Sequence, residues 1–567
     1  MASLSKESRR SSYVSPNIGF IWIMLCLALR SSDLCAQSSI ILTDVTKESG
    51  VEFVHTDGRY GQYFLFESLC SGLALLDFDG DGAQDIFFCN GAPIGKAIDP
   101  SPMDALYRNL GDFRFCEVTR QSGVGDASMS LGVTCADYDN DGWTDIYVNN
   151  FGANRLFKNN GDGTFSDWTE RAGVANGNLV AGGASFLDMD SDGNLDLYVG
   201  NYVKFDVSQH KVHAHKGIAS YPSPLSFDPE PDTLFKNNGD GTFLDVTQSS
   251  GVGKVAGRSM GLVAFDFDAD GDTDVFVAND AHENFLFEND GMGHFEEVGL
   301  QSGVAFDYRG RAQASMGVAL FDLENDGKLD LFVTSFWEEF ATVYRNLGGG
   351  LFEDATLRSN TGDATFPHVT WGVVATDLDN DGHVDLLVGT GDLDDQRESR
   401  GGVSKATAYK VRDILLRGKG GGKFEDLKTN WGTGANVVES SRGIVASDLD
   451  GDRLVDAVIL NARSSPTLLR NQTKAKAALA IQLVGTRSNR DGIGATIRVS
   501  QEGRIVSRYV HSGSSYQSDS GVRQFFPVDC EKPMEIEVKW QERDIETWQL
   551  KGSDGTELLI QRAAKRQ

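Results

Sequence analysis

The stretch Asp137-Tyr138-Asp139-Asn140-Asp141-Gly142-Trp143-Thr144-Asp145 constrains this chain more than any other. Carboxylates stand at positions 1, 3, 5 and 9 of one loop, with glycine at position 6, where the chain must turn sharply. A hard cation such as Ca²⁺ takes about six to eight oxygens. Alternate side chains of a tight loop can converge to supply them, usually with the backbone carbonyl of position 7. Asp137, Asp139, Asp141 and Asp145, with the carbonyl of Trp143, are therefore candidate calcium ligands.

The pattern recurs along the chain. Loop 1 offers Asp77, Asp79, Asp81 and Asp85 with the carbonyl of Ala83, and the stretch above is loop 2. Loop 3 offers Asp188, Asp190, Asp192 and Asp196 with Asn194, and loop 4 offers Asp266, Asp268, Asp270 and Asp274 with Asp272. Loop 5 offers Asp322, Glu324, Asp326 and Asp330 with Lys328, and loop 6 offers Asp377, Asp379, Asp381 and Asp385 with His383. Loop 7, with Asp448, Asp450, Asp452 and Asp456, has Arg453 where glycine should stand. One such loop could be an acidic surface turn. Seven, each followed by an apolar strand-like run, argue for an array of about six calcium sites. The seventh is expected to be weak or empty, because arginine resists a positive φ and sets a like charge beside the ion.

Much of the net charge of -30 sits in these loops and so has a local purpose. It argues against a nucleic-acid partner and against an anionic membrane surface, both of which need a basic face. The start, Lys6-Glu7-Ser8-Arg9-Arg10 followed by the apolar run from Ile18 to Leu29, reads as a signal peptide over residues 1–36. That run is too short to span a bilayer, so a secreted protein is expected, extracellular or periplasmic, with no membrane span once the signal is removed. Removal leaves Cys70, Cys89, Cys116, Cys135 and Cys530, which read either as two disulfides in the first two repeats or as small buried hydrophobes.

A second motif alternates with the acidic loops. Leu156-Phe157-Lys158-Asn159-Asn160-Gly161-Asp162-Gly163-Thr164-Phe165 runs on to Ala172-Gly173-Val174, and Leu234 to Val252 repeats it closely. Asn-Gly and Asp-Gly between short apolar runs mark hairpin turns, since the primed turns need φ > 0. Each repeat then holds four strands, in the second repeat Leu131 to Ala136, Thr144 to Asn149, Arg155 to Asn159 and Thr164 to Thr169. Four short antiparallel strands repeated seven times predict an all-β fold, a seven-bladed β-propeller over residues 40–471. The last repeat stops after its third strand, while Ile41 to Val51 matches a fourth. The N-terminal strand is expected to complete the last blade and close the ring, which removes exposed sheet edges.

These residues resemble a known family. The D-x-D-x-D-G-x-x-D loops and the glycine-rich repeats around them look like FG-GAP (VCBS-type) repeats, found in integrin α-subunit propellers and many bacterial exported proteins. Asn489-Arg490-Asp491-Gly492-Ile493-Gly494-Ala495 and Gly513-Ser514-Ser515-Tyr516-Gln517-Ser518 resemble the ASPIC/UnbV domain. The pair together is similar to the cartilage acidic protein family, whose best-known members look like adhesion or matrix proteins. Two stretches depart from the domain's usual pattern, Phe526-Pro527-Val528-Asp529 and Gln541-Glu542-Arg543. Residues 478–563 alternate with period two, as at Thr496 to Val499 and Ile536 to Trp540, which predicts a small β-sandwich-like C-terminal domain. The short linker from Gln472 to Lys476 predicts docking on the propeller rim.

In such a blade the acidic 1–2 connections and the Asn-Gly-Asp-Gly 3–4 turns share one face. The long 2–3 connections, Asn90 to Met103, Asn201 to Pro231 and Gly389 to Tyr409, lie on the other, where binding is expected. His210, His213 and His215 lie in the second of these, and Lys211 and Lys216 beside them oppose a cation, so a solvated polar loop is expected there. No G-x-S-x-G, H-E-x-x-H or P-loop is present. The reading is a calcium-dependent binding or adhesion module for a protein or polysaccharide. The alternative is an extracellular propeller enzyme acting on polysaccharide over the central channel.

Overall fold

The computed structural model describes residues 40–562 apart from 71, 97–101, 216, 396–407, 477, 542 and 554. The signal peptide, parts of the first and third long connections, and Lys216 lie outside the described residues. Seven four-stranded antiparallel sheets follow one another. Their innermost strands are Leu73–Leu76, Met129–Ala136, Ala181–Leu187, Ser259–Phe265, Val318–Phe321, Thr370–Thr376 and Ser441–Ser447. Each lies beside the next, and the seventh lies beside the first, so the sheets form a closed ring.

A sheet in such a ring is covered on both faces. The inner strands therefore read as continuous apolar runs, and every residue of Met129–Ala136 is buried. The core is divided into clusters between neighbouring sheets. Leu73, Ile86 and Phe88 of the first sheet pack against Val445, Val458 and Leu468 of the seventh. The seventh sheet is completed by Leu42–Asp44, antiparallel to Thr467–Asn471, with Leu42 opposite Asn471. The closing strand proposed from the sequence thus pairs where a fourth strand belongs. After the fourth strand comes one turn of helix, as at Thr169–Ala172, ended by a left-handed residue such as Gly173. This is the structural content of the Ala-Gly-Val motif.

The C-terminal domain is two sheets, one of three strands and one of four. They pack Leu479, Ile481, Ile497, Ile536 and Trp540 into a core that runs on into Phe186 and Leu197 of the ring. It does not sit on the rim, as the short linker suggested. It lies over the acidic-loop face, and the segment from Val510 to Arg523 enters the central channel. Leu75 N donates to Asp519 O (2.9 Å), Val133 N to Gln517 O (3.1 Å) and Val318 N to Ser515 O (2.8 Å). Val373 N donates to Ser515 Oγ (3.0 Å) and Ala446 N to Ser520 Oγ (3.1 Å). Asp519 Oδ2 accepts from Thr134 Oγ1 (2.9 Å), Cys135 N (3.0 Å) and Gly513 N (3.0 Å). Glycines on the inner strands make room, since a Cβ at Gly72, Gly132 or Gly317 would collide with this segment or the adjacent strand. The plug is placed by its hydrogen bonds to inner strands around the ring, which a linker length cannot foretell.

Candidate metal sites and their cap

All seven acidic loops are built alike. In each, the N–H of position 6 donates to the position-1 carboxylate: Gly82 to Asp77 (2.9 Å), Gly142 to Asp137 (2.7 Å), Gly382 to Asp377 (2.6 Å). Arg453 makes the same bond to Asp448 (2.9 Å), at φ 66, so the seventh loop adopts the turn that arginine was expected to resist. The left-handed backbone costs a non-glycine residue ~1–2 kcal/mol. Position 9 opens the second strand and acts as a staple. Asp145 Oδ2 accepts from Tyr138 N (3.3 Å) and its Oδ1 from Asn159 N (2.7 Å).

Carboxylate oxygens of Asp77, Asp79 and Asp85 lie within 4.8 Å of one another, as do those of Asp137, Asp139 and Asp145, of Asp266, Asp268 and Asp274, and of Asp377, Asp379 and Asp385. In the third loop the trio is Asp188, Asp190 and Asp192. Asp77 Oδ1, Asp139 Oδ1, Asp190 Oδ1 and Asp266 Oδ1 are buried without a hydrogen-bond partner. Burial, reinforced by neighbouring carboxylates, pushes Asp137 and Asp377 up to about 7, and burial pushes Asp85 up to about 8. Crowded, desolvated oxygens with free lone pairs are the donor set that suits a hard cation. These clusters could hold metal ions through positions 1, 3 and 9.

Position 5 mostly does other work. Asp81, Asp141 and Asp381 pair with the third-strand cations Arg108 (3.2 Å), Lys158 (2.7 Å) and Arg417 (3.1 Å). The same cations reach position 3, as do Lys236 at Asp190, Arg345 at Glu324, and Arg470 at Asp450 (2.5 Å). In the fourth sheet the equivalent residue is Glu288, whose carboxyl is raised by burial and by Asp268 and Asp270. Loop 4 is thus the most negative. Position 7 contributes N–H bonds to position 5, from Ala83 (2.9 Å), Trp143 (3.1 Å), Asn194 (2.9 Å), Asp272 (2.9 Å), Lys328 (3.0 Å) and His383 (2.9 Å). In the seventh loop Asp452 accepts from Leu454 N (2.8 Å).

Two features were missed in the sequence. The Asn that ends most third strands ties its own loop to that of the preceding sheet. Asn159 Nδ2 donates to Phe78 O (2.8 Å) and Thr144 O (3.1 Å). Asn109 Nδ2 donates to Leu449 O (2.9 Å), joining the first sheet to the seventh. The repeated Asn was visible, but its partner lies one repeat away. The second feature is the cap, which touches loops 1, 2, 3, 4, 6 and 7. Arg523 Nη2 donates to Gly82 O (3.0 Å), Asp137 N to Asp491 Oδ2 (2.8 Å), and Gln541 to Asp188 O. Lys539 and Arg543 pair with Asp266 (3.5 Å) and Asp272 (3.0 Å), Arg504 Nη2 donates to Asp381 O (3.3 Å), and Ala478 N to Arg453 O (3.0 Å).

The opposite face has a different character. Phe64, Phe66, Leu69, Met129, Met260, Trp371 and Tyr516 fill that end of the channel. Beside them lies an open groove of about 700 Å³ lined by Lys204, Phe205, His210, Lys211, Phe227 and Glu230. A second groove of about 540 Å³ is lined by Lys410, Arg412, Lys428 and Val438. His210 Nε2 contacts Gln62 O (2.7 Å) and packs on Phe64, while His213 and His215 lie on an exposed hairpin strand. The five described cysteines are unpaired, so the disulfide reading is set aside for Cys70, Cys89, Cys116, Cys135 and Cys530.

The ring of sheets and its repeated acidic loops define a β-propeller protein of the acidic-loop type. The FG-GAP-like repeat matches residues 77–148, 137–199, 225–277, 266–333 and 322–388, and the ASPIC and UnbV domain matches 485–566; the chain belongs to the FG-GAP-like repeat proteins. It is similar to cartilage acidic protein 1 of Mus musculus, 26% identical over 437 residues, covering 72% of this chain and 61% of that protein. The protein of the same name from Xenopus tropicalis is 26% identical over 379 residues, covering 62% of this chain and 54% of the relative. The chain thus spans little more than half the length of these relatives. Among solved structures, the BP39L lectin from Burkholderia pseudomallei has a TM-score of 0.41 at 10% identity, covering 72% of this chain and 97% of that one. That likeness is too low to bear on ligand or mechanism. No helix among the described residues is long and apolar enough to cross a membrane.

Proposed function

We propose that this chain is an exported binding module, stiffened by calcium in its acidic loops, which holds a protein or polysaccharide partner on the face opposite those loops. The observation that carries this reading is the position of the cap. The C-terminal domain covers the acidic-loop face and its plug fills the channel, so the partner is left the face with the long 2–3 connections. Both open grooves lie there, and both combine cationic side chains with apolar walls. That mixture suits a polar, extended partner better than a buried small molecule. An enzyme working over the channel would find the plug from one side and the Phe64–Leu69 stretch from the other. The test is a glycan and protein array probed with the chain and with a variant whose residues 204–230 are replaced by a Gly-Ser bridge. Retained melting temperature with lost retention supports the assignment. Unimpaired retention moves the site elsewhere, and product release during the assay would favour the enzyme.

A further inference from the structure

Between the C-terminal domain and the inner strands of sheets five to seven lies a cavity of about 120 Å³. That is room for about four waters. Its polar walls include Arg508, Arg523, His511, Asp322 and Asp519. The two arginines are poorly served. Arg508 donates from Nη1 to Ser507 O (3.0 Å) and is otherwise offered only the distant face of Phe526, 5.9 Å away. Arg523 uses Nη2 on Gly82 O (3.0 Å) and Gln482 Oε1 (3.3 Å), and its Nε is buried with no partner. His511 Nδ1 is also buried without a partner. A guanidinium carries five donors, so most of this capacity is unspent.

A contrast within the same molecule shows what a served arginine looks like. Arg442 is buried too, yet its donors reach Ser68 O (3.3 Å), Ser440 Oγ (2.9 Å), Ser441 O (2.9 Å) and Asp392 O (3.3 Å), and its plane lies 4.0 Å over Trp371. The cavity acids do not do this for Arg508 and Arg523. Asp519 spends both oxygens on the plug and the second sheet, and Asp322 accepts from Asp326 N (3.0 Å) and Gly327 N (2.8 Å). Among the described residues no carboxylate lies within ion-pairing distance of either arginine. Burial holds both guanidinium groups below their ordinary range. A buried cation without a counter-charge costs several kcal/mol, and an anion in reach of both removes much of that cost.

We propose that this cavity binds a small inorganic anion, a tetrahedral oxyanion or a halide, held by Arg508 and Arg523 with His511 Nδ1 as a third donor when protonated, and that the anion fastens the cap to the ring. Crystals of the full chain soaked in bromide should show an anomalous peak between the two guanidinium groups. Sulfate should raise the melting temperature with a saturable component beyond its general salting effect. Arg508→Gln and Arg523→Gln should each weaken that component at least tenfold, the loss expected for one charge-assisted hydrogen bond. Ordered water alone in the cavity of the soaked wild type, or a sulfate response unchanged in both variants, would overturn the proposal. The soak needs no variant, so a variant that fails to fold leaves the test intact.

Discussion

The two faces of the ring have opposite designs. On one, seven loops repeat the same turn, the same position-1 hydrogen bond and the same position-9 staple, from Gly82 to Asp77 through Arg453 to Asp448. On the other, the 2–3 connections differ in length and composition, and grooves lie between them. Uniformity suits a surface that a second domain grips at several points at once, because each loop presents the same backbone groups at the same height. Variability suits a surface that meets one partner. A rigid scaffold with its variation confined to one set of loops is how binding sites are commonly carried.

The comparison breaks most visibly if the cap is removed. A chain ending at Asn471 loses the plug that hydrogen-bonds inner strands around the ring and exposes Phe186 and Leu197, which share the core of the C-terminal domain. It is expected to aggregate, or to melt at least ~15 °C lower if it stays soluble; a domain of this size typically shifts by ~2–4 °C per kcal/mol. Size-exclusion chromatography and a melting curve decide it. A soluble monomer with an unchanged melting temperature would show the cap to be an independent appendage.

Calcium removal is the next largest effect. Ions bound only to the folded state each add RT ln(1 + [L]/Kd), so EDTA should lower the melting temperature and millimolar calcium restore it. The pH dependence sharpens the test. Without metal, Asp85 rises to about 8 and Asp377 to about 7, from an ordinary value of 3.8. The folded chain then keeps protons that the unfolded chain has released. In EDTA, stability should therefore fall as pH rises from about 4 to about 8. Calcium competes with those protons and should flatten or reverse the slope. Identical pH profiles with and without calcium would remove the metal from the loops.

How much of this was legible beforehand follows from the range of each interaction. The acidic loops, the hairpin turns and the missing fourth strand are local patterns of period two or of fixed spacing, and Leu42–Asp44 pairs as the missing strand. The Asn159 bridge to Phe78, the glycine collar at Gly72 and Gly132, and the plug at Ser515 depend on which repeats meet in space. The linker after Asn471 limited where the cap could start but not which face it would take. The third-strand cations were present in Leu156-Phe157-Lys158-Asn159, but their partners Asp139 and Asp141 lie on a different strand connection.

On the variable face the test is a single buried acid. Glu67 is buried at the channel mouth with neither carboxylate oxygen in hydrogen-bond geometry, and burial together with Asp57 pushes it up to about 8 from 4.5. Its raised value means the folded state binds a proton that the unfolded state lacks between those limits. Stability from this group is intact below about pH 4.5 and is lost as pH rises through about 8. Glu67→Gln should melt higher than wild type at pH 8.5 and equal it near pH 4. The gain is at most a few kcal/mol. A pH-independent difference between the two proteins would deny that Glu67 titrates.

The smallest effect distinguishes the loops from one another. Six third strands carry Arg or Lys beside position 3, whereas the fourth carries Glu288, and position 7 of the same loop is Asp272. Coulomb attraction for a divalent cation should thus be strongest at Asp266, Asp268 and Asp274, although Lys539 from the cap takes back part of the gain at Asp266 (3.5 Å). The seventh loop is the other extreme, with Arg470 on Asp450 (2.5 Å) and Arg453 at the turn. On titration, the fourth loop should fill first and the seventh last. Glu288→Lys changes the local charge by two at about 6 Å, worth roughly tenfold in affinity for an exposed group and less at high salt. Anomalous scattering from crystals equilibrated at stepped calcium concentrations reads each loop separately. Equal filling of the fourth and seventh loops would show that backbone geometry, which they share, decides affinity, and that the flanking charges do not.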